Sequence, residues 1–306
     1  MNTSFSSDAP TQNQIDTLPK KQSPLLRLHT ICPYFTMFPL DFPFYTLTSA
    51  RPNDWILDPF CGRGTTNYAA RLRGLNSVGV DSSPVAAAIS TAKFVETTPA
   101  EIIRLCKTIL DNDQEPDHIP EGRFWELCYH PETLHDICKL RDILMGECTT
   151  DEAVALRALM LGILHGPSTK SQPSYLSNQM PRTYCCKPDY SVRYWERHGL
   201  FPKKIDVLDV VSRKAEYSFG TLPARTRGGI IRGDSRTTLP SISGDGFNWV
   251  ITSPPYYQMK TYVQDQWLRN WFLGGEDTVN YTVTGQLTHS SRQDFARDLA
   301  EVWKNI

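Results

Sequence analysis

Trp55-Ile56-Leu57-Asp58-Pro59-Phe60-Cys61-Gly62-Arg63-Gly64-Thr65-Thr66 decides how this chain folds. Three apolar residues run into an acid and a proline, then a glycine-rich turn, then two threonines. That order reads as a strand, a tight turn and the start of a helix. Gly62 and Gly64 free the backbone to turn sharply and to lie close to a ligand. Thr65 or Thr66 is placed to cap the following helix, whose unbonded N–H groups face the same side. Ser77-Val78-Gly79-Val80-Asp81 follows, a short strand ending in a carboxylate, and Asp58 to Asp81 spans 23 residues. That is the size of one strand–helix–strand unit. An acid ending the second strand suits a ribose diol. The turn lacks the full G-x-G-x-x-G, which disfavours a nicotinamide dinucleotide.

Further along, Asn248-Trp249-Val250-Ile251-Thr252-Ser253-Pro254-Pro255-Tyr256-Tyr257 reads as a second apolar strand halted by two prolines. Ser253-Pro254-Pro255-Tyr256 would push a polar atom, a rigid backbone and a flat ring into a cleft. That set suits gripping a flipped-out base by its exocyclic amine. Residues 54–58, 76–81, 229–232 and 248–252 read as four parallel strands of an open α/β sheet, with helices over Thr65–Arg73 and Pro84–Phe94. Every motif falls at a strand's carboxyl end, where ligands of such sheets sit.

The chain divides by pattern into a polar tail over 1–24, expected to be disordered, a first sheet half over 25–98, an insert over 99–226 and a second sheet half over 227–306. Within the insert, Ala100–Leu110 and Asp151–His165 carry apolar residues at helical spacing. Gly166 to Lys204 holds five prolines among aromatic and basic residues and reads as a loop-rich lobe suited to gripping substrate. Helices are expected over Val263–Phe272 and Arg292–Ile306, and no strand is visible after the tetrapeptide. An unfinished sheet leaves an exposed edge, so a fragment, a truncation or half of a split enzyme all stay open.

With 306 residues and a net charge of −1, bulk charge does not advertise nucleic-acid binding. A local basic face is available around Arg182, Lys187, Arg193, Arg197, Lys203, Lys204, Arg213 and Lys214. Eight cysteines without a C-x-x-C pair fit a reduced, cytoplasmic setting. No apolar run is long enough for a membrane helix. Cys128, His130, His135 and Cys138 do not follow a zinc spacing, so no metal is expected. Tyr175, Tyr184, Tyr190 and Trp195 suit nucleic acid or packing equally; Trp267, Trp271 and Phe272 at helical spacing read as core.

On these residues the chain resembles the DNA amino-methyltransferases that use S-adenosylmethionine. The resemblance covers about residues 29–95 and 228–275. It implies a Rossmann-like class I methyltransferase sheet with a long, mostly helical insert and the last strands missing. In that family the segment matching Asp58, Pro59, Phe60, Cys61, Gly62, Gly64, Thr65 and Thr66 holds the methionine part of the cofactor. Asp81, with Ser82 beside it, would hold the ribose. Asp234, with Ser235, would approach the adenine. His29 to Pro39, including Tyr34 and Thr36, resembles the segment that closes over the cofactor. Ser253, Pro254, Pro255 and Tyr256 would hold the target amine, the first two as hydrogen-bond acceptors and the tyrosine as a stacking ring. Serine in first place looks most like cytosine-N4 enzymes. An adenine-N6 enzyme, an RNA base-amine methyltransferase and a truncated inactive cofactor- or DNA-binding protein stay open as alternatives. Double-stranded DNA is the implied partner, with a cognate restriction endonuclease or a second chain completing the sheet beyond it. No Pro-Cys dipeptide occurs, so the covalent cytosine-C5 route is not expected.

Overall fold

The computed structural model describes residues 15–34, 38–168, 171–181, 187–239, 246–258, 263–280 and 287–306. They form two compact units. The first takes in the chain up to Glu96, Thr221–Thr261 and Val283–Ile306; the second takes in Thr97–Gly220 and Tyr262–Thr282.

The first unit is built on four strands: β1 (Trp55–Asp58), β2 (Asn76–Asp81), β3 (Gly228–Arg232) and β4 (Trp249–Val250), with α1 (Asp41–Thr46), α2 (Thr65–Leu72) and α3 (Pro84–Thr91) on the early half of the chain. The sheet order is β3-β2-β1-β4 and every pairing is parallel. Period-2 alternation splits the sheet's faces. Leu57, Val78 and Val80 pack with Leu239 and Val302 on one face. On the other, Asn67 of α2 donates to the Ser77 hydroxyl (3.2 Å). A Cβ on Gly79 would stand 2.8 Å from Asn67 Oδ1.

The four parallel strands match the sequence expectation, with small shifts at their ends. β4 is shorter than the 248–252 run, because the following prolines cannot extend a ladder. Ile251 still donates to Leu57 O (3.1 Å). Neither threonine caps α2. The cap position is Gly64, in the left-handed region at φ 77°, with no side-chain cap. The Thr66 hydroxyl donates instead to Ile251 O (3.1 Å), fastening the end of β4 to α2. Among the described residues no strand follows β4.

The second unit is helical: α4 (Pro99–Leu110), α5 (Arg123–Cys128), α6 (Pro131–Leu144), α7 (Asp151–Ile163), α8 (Pro188–Arg197) and α9 (Val207–Phe219). The first unit then resumes with α10 (Ser235–Thr238), and α11 (Val263–Phe272) returns to the second before α12 (Arg292–Lys304) closes the first. Two expectations change here. The stretch Gly166 to Lys204 is not all loop, since it contains α8. Its Pro188 sits at the first helical turn, where a missing N–H costs nothing and the fixed φ favours a start. And α11 belongs with the helical unit although it follows the tetrapeptide. Trp267 and Trp271 bury there against Phe124 (4.9 Å between rings) and Trp125 (4.6 Å). Trp195 is buried too, so it packs rather than facing a ligand.

The long excursion closes through Arg71 of α2. Its buried guanidinium donates to the carbonyls of Pro223 (2.9 Å), Ala224 (3.2 Å) and Lys93 (2.7 Å). That delivers the returning chain to the edge of β2, where Arg227 N donates to Asn76 Oδ1 (3.2 Å).

Gly64 carries a steric constraint of its own. A Cβ there would come within 2.9 Å of Ser90 Cβ and 3.3 Å of Ser90 Cα on α3. Gly64→Ala therefore combines a left-handed backbone penalty with overpacking, together about 2–5 kcal/mol. Urea unfolding should show that loss, and an unchanged midpoint would contradict this packing role.

Candidate functional site

The ends of β1, β2 and β3 meet at one residue, Asp81. Asp81 Oδ2 accepts from Gly62 N (2.8 Å) and Oδ1 from Ser83 N (2.9 Å). The Asp81 carbonyl accepts from Gly233 N and the Val80 carbonyl from Cys61 N, both at 3.0 Å. The acid thus shapes the glycine turn before any ligand is considered. Burial raises its pKa, and the two N–H bonds restrain the rise. Ser83, not Asp81, caps α3. Ser82 lies half-buried between them.

Asp58 ends β1 and is wholly buried. Its Oδ1 accepts from Phe60 N (3.1 Å), while Oδ2 has no hydrogen bond of its own. Burial pushes its pKa up to about 6; the Thr252 and Thr66 hydroxyls beside it and the Phe60 N–H only partly oppose this. Pro59 and Cys61 are buried behind it, and burial likewise drives the Cys61 thiol far up, so it is no thiolate nucleophile. Phe60 is half-buried and meets Trp303 edge-on (6.4 Å).

Tyr34 lies across the turn. A Cβ on Gly62 would meet its ring at 3.8 Å. Burial and the neighbouring Asp81 raise its phenol pKa. Thr36 lies outside the described residues. Gly62, at φ 51°, is the turn residue that stays half-exposed, whereas Gly64 and Thr65 are buried in packing.

Sequence reasoning missed the cations behind the turn. Arg63 donates to His29 Nε2 (2.7 Å), His29 stacks on Tyr68 (5.5 Å, 12° between planes), and Lys93 donates to Leu28 O. All three are buried. Burial holds Arg63 down to about 10 and lowers His29 and Lys93 well below their usual ranges. No spacing rule announces such a group, because its members lie far apart in the chain.

At the end of β3, Asp234 caps α10 and its carboxylate sits in the fork of Arg236 (3.1 and 2.5 Å). Arg236 also donates to Asp298 of α12 (2.7 Å). Ser235 is buried and donates to Pro59 O. Both residues therefore knit strand ends together, and Asp298 joins them through Arg236 though no motif contains it.

Beyond β4, Ser253, Pro254 and Pro255 are half-buried, while Tyr256 is 62% exposed. Thr252, which precedes them, faces Asp58. It also lines an apolar cleft of about 480 Å³ with Phe42, Val250, Trp303 and Ile306 among its walls. The tetrapeptide thus emerges beside the acid that ends β1. Cys128 and Cys138 are buried, His130 caps α6, and His135 pairs with Glu115 (2.8 Å). Among the described residues no group of three His, Cys, Asp or Glu side chains is placed to hold a metal, and no helix is long and apolar enough to cross a membrane.

Two comparisons with known proteins find similar sequences. The family model described as DNA methylase, of the N6 and N4 type, matches residues 14–92, which contain the glycine turn and Asp81. The type II methyltransferase M.BsoBI of Geobacillus stearothermophilus is 25% identical over 255 residues, covering 73% of this chain and 48% of that protein. The chain thus spans about half the length of the curated relative it matches. No solved structure matches with significance. Both matches are thus to methylating enzymes, the family model to DNA methylases of the N4/N6 type, which is what this chain is similar to.

Asp58 gives a test with a definite sign. Its folded pKa of about 6 lies above the ordinary 3.8, so the folded state holds its proton more tightly than the unfolded one. Stability on this account is highest below about pH 4 and declines as pH rises to about 6, by up to about 3 kcal/mol. Asp58→Asn keeps the Phe60 bond and stays neutral. Its stability advantage over the wild type should grow across that window and then level off, read from urea midpoints at pH 4 and pH 8. A gap that does not change with pH would contradict the buried-charge reading.

Proposed function

We propose that this chain transfers a methyl group from S-adenosylmethionine to the exocyclic amine of a flipped base in double-stranded DNA, cytosine N4 in particular. The observation that carries the reading is the half-buried Ser253-Pro254-Pro255 and exposed Tyr256 at the end of β4, anchored by Thr66 and adjoining Asp58. The sheet is then the core of a Rossmann-like methyltransferase domain, with residues 25–98 as its cofactor half and 227–306, less the stretch around α11 that packs with the helical unit, as its catalytic half. The helical insert over 99–226 serves as the recognition lobe.

The residues fit the cofactor. Asp58 Oδ2 is a buried acceptor without a donor, and the cofactor's amino-acid end carries an ammonium group. Each Asp81 oxygen accepts one N–H and keeps a lone pair for a ribose hydroxyl. Tyr34 covers the turn beside Gly62, and Ser82 lies next to Asp81. Asp234 and Ser235 fix the wall toward the adenine. When bound, the cofactor supplies an electrophilic methyl on a positive sulfur. The amine of cytosine is a weak nucleophile because its lone pair is conjugated into the ring. Ser253 Oγ and the Pro254 carbonyl accept hydrogen bonds from its N–H groups and draw that pair out of conjugation, and the amine gives up one proton to solvent as it takes the methyl. Tyr256 stacks on the extruded base. Placing the amine in line with the methyl completes the site.

Serine in the first position supports cytosine; adenine N6 is the second reading within the same chemistry. The similarity to a type II methyltransferase supports a restriction–modification setting in the cytoplasm, with a cognate endonuclease or a second chain as further partners.

The test is transfer of tritium from labelled S-adenosylmethionine to unmethylated DNA, followed by nucleoside separation, with Ser253→Ala alongside. Label in N4-methylcytosine that falls at least about 100-fold in the variant is expected, on the scale of a lost transition-state hydrogen bond. Label in N6-methyladenine would move the target to adenine. No label, with cofactor bound, would overturn the transferase reading.

A further inference from the structure

Tyr256 and Tyr257 are neighbours with opposite surroundings. Tyr256 points into solvent, whereas the half-buried Tyr257 is held by two rings. His289 lies 6.3 Å from it, tilted by 32°, and Phe295 meets it edge-on at 5.7 Å. His289 and Phe295 contact each other at 5.3 Å. The next residue, Gln258, stands at φ 66°, a left-handed conformation that a non-glycine residue adopts only when held there. Its N–H donates to His289 Nδ1 (3.2 Å). One imidazole therefore grips both the ring of Tyr257 and the backbone after it.

The imidazole is itself fastened to α12. Thr288 N donates to Asp298 Oδ2 (2.7 Å), and the hydroxyls of Ser290 and Ser291 both donate to Asp294 Oδ2 (2.7 Å each). Phe295 is buried in the first turn of the same helix. The segment flanking His289 is thus bonded on both sides to one rigid element.

The geometry points to His289 as a positioning residue for the tetrapeptide proposed to hold the methyl-accepting amine. By clamping Tyr257 and Gln258 it fixes where the chain leaves Ser253-Pro254-Pro255-Tyr256, and so how the Tyr256 ring is presented to an extruded base. This rests on the proposed function, since it assigns a role within that same site. The His289 contribution is made through the chain it holds, with no contact to the reacting atoms required. It acts through Nδ1 as an acceptor, so the neutral imidazole with its proton on Nε2 is the working form.

His289→Ala and His289→Asn separate this role from simple packing. Asparagine places an acceptor oxygen where Nδ1 stands; alanine removes both ring and acceptor. In wild-type protein the Gln258 amide should exchange its hydrogen slowly, in H289A at least tenfold faster, and in H289N near the wild-type rate. In the tritium assay, H289A should lose at least tenfold in kcat, with the dissociation constant for S-adenosylmethionine within twofold of wild type. H289N should recover most of that loss. Unchanged Gln258 exchange in H289A, or a kcat equal to wild type, would overturn the assignment. So would an H289N variant as impaired as H289A while retaining its thermal midpoint. If the wild-type chain transfers no methyl group at all, the proposed function fails separately, and the exchange rates still decide whether His289 holds Gln258.

Discussion

The carboxylate of Asp81 is the constraint on which the site depends. Parallel strands offer no short turn to tie their ends together, so the ends must be joined by other means. Asp81 does this with its side chain toward Gly62 and Ser83 and with its carbonyl toward Gly233. β1, the glycine turn, the start of α3 and the exit from β3 are all referred to one residue. A half-buried acid bears a desolvation cost, which is why its pKa rises. Two backbone donors offset that cost and leave each oxygen a lone pair. The glycine turn is therefore built around a carboxyl group of the protein's own before a ligand arrives.

Two further ties complete the wall. Thr66 spends its hydroxyl on Ile251, so the tetrapeptide begins at a fixed distance from the turn. α12 then collects the loose ends. Its Asp298 receives both Arg236, which holds Asp234 at the exit from β3, and the N–H of Thr288, which leads to His289. Val302 of the same helix packs on Leu57, Val78 and Val80. One helix at the far end of the sequence thus steadies the exit from β3 and the segment after the tetrapeptide together.

The strands and the turn were legible because their signals are local. Apolar runs ending in Asp58 and Asp81 carry the strand pattern, and the paired prolines after Thr252 mark where the ladder must stop. What could not be read is pairing at a distance. Asp234 looks like a free acid until Arg236 and Asp298 are seen around it, and Asp298 comes 64 residues later. Gly64 reads as a ligand-facing glycine, yet what crowds it is α3. Trp267 and Trp271 announce a core by their spacing without saying which core, and they bury against Phe124 and Trp125 of the helical unit. Pro188 falls in a stretch that reads as loop, yet it begins α8. His289 carries no motif, because its meaning lies in what it touches.

The central claim is that the strand ends gathered by Asp81 form a cofactor site. Calorimetric titration of S-adenosylmethionine into the wild type and Asp81→Ala, with circular dichroism to verify folding, tests it most directly. The account predicts binding by the wild type and an affinity at least about tenfold weaker in the variant, the scale of losing hydrogen bonds to a charged acceptor. Equal affinities in two folded proteins, or no binding by the wild type, would contradict it.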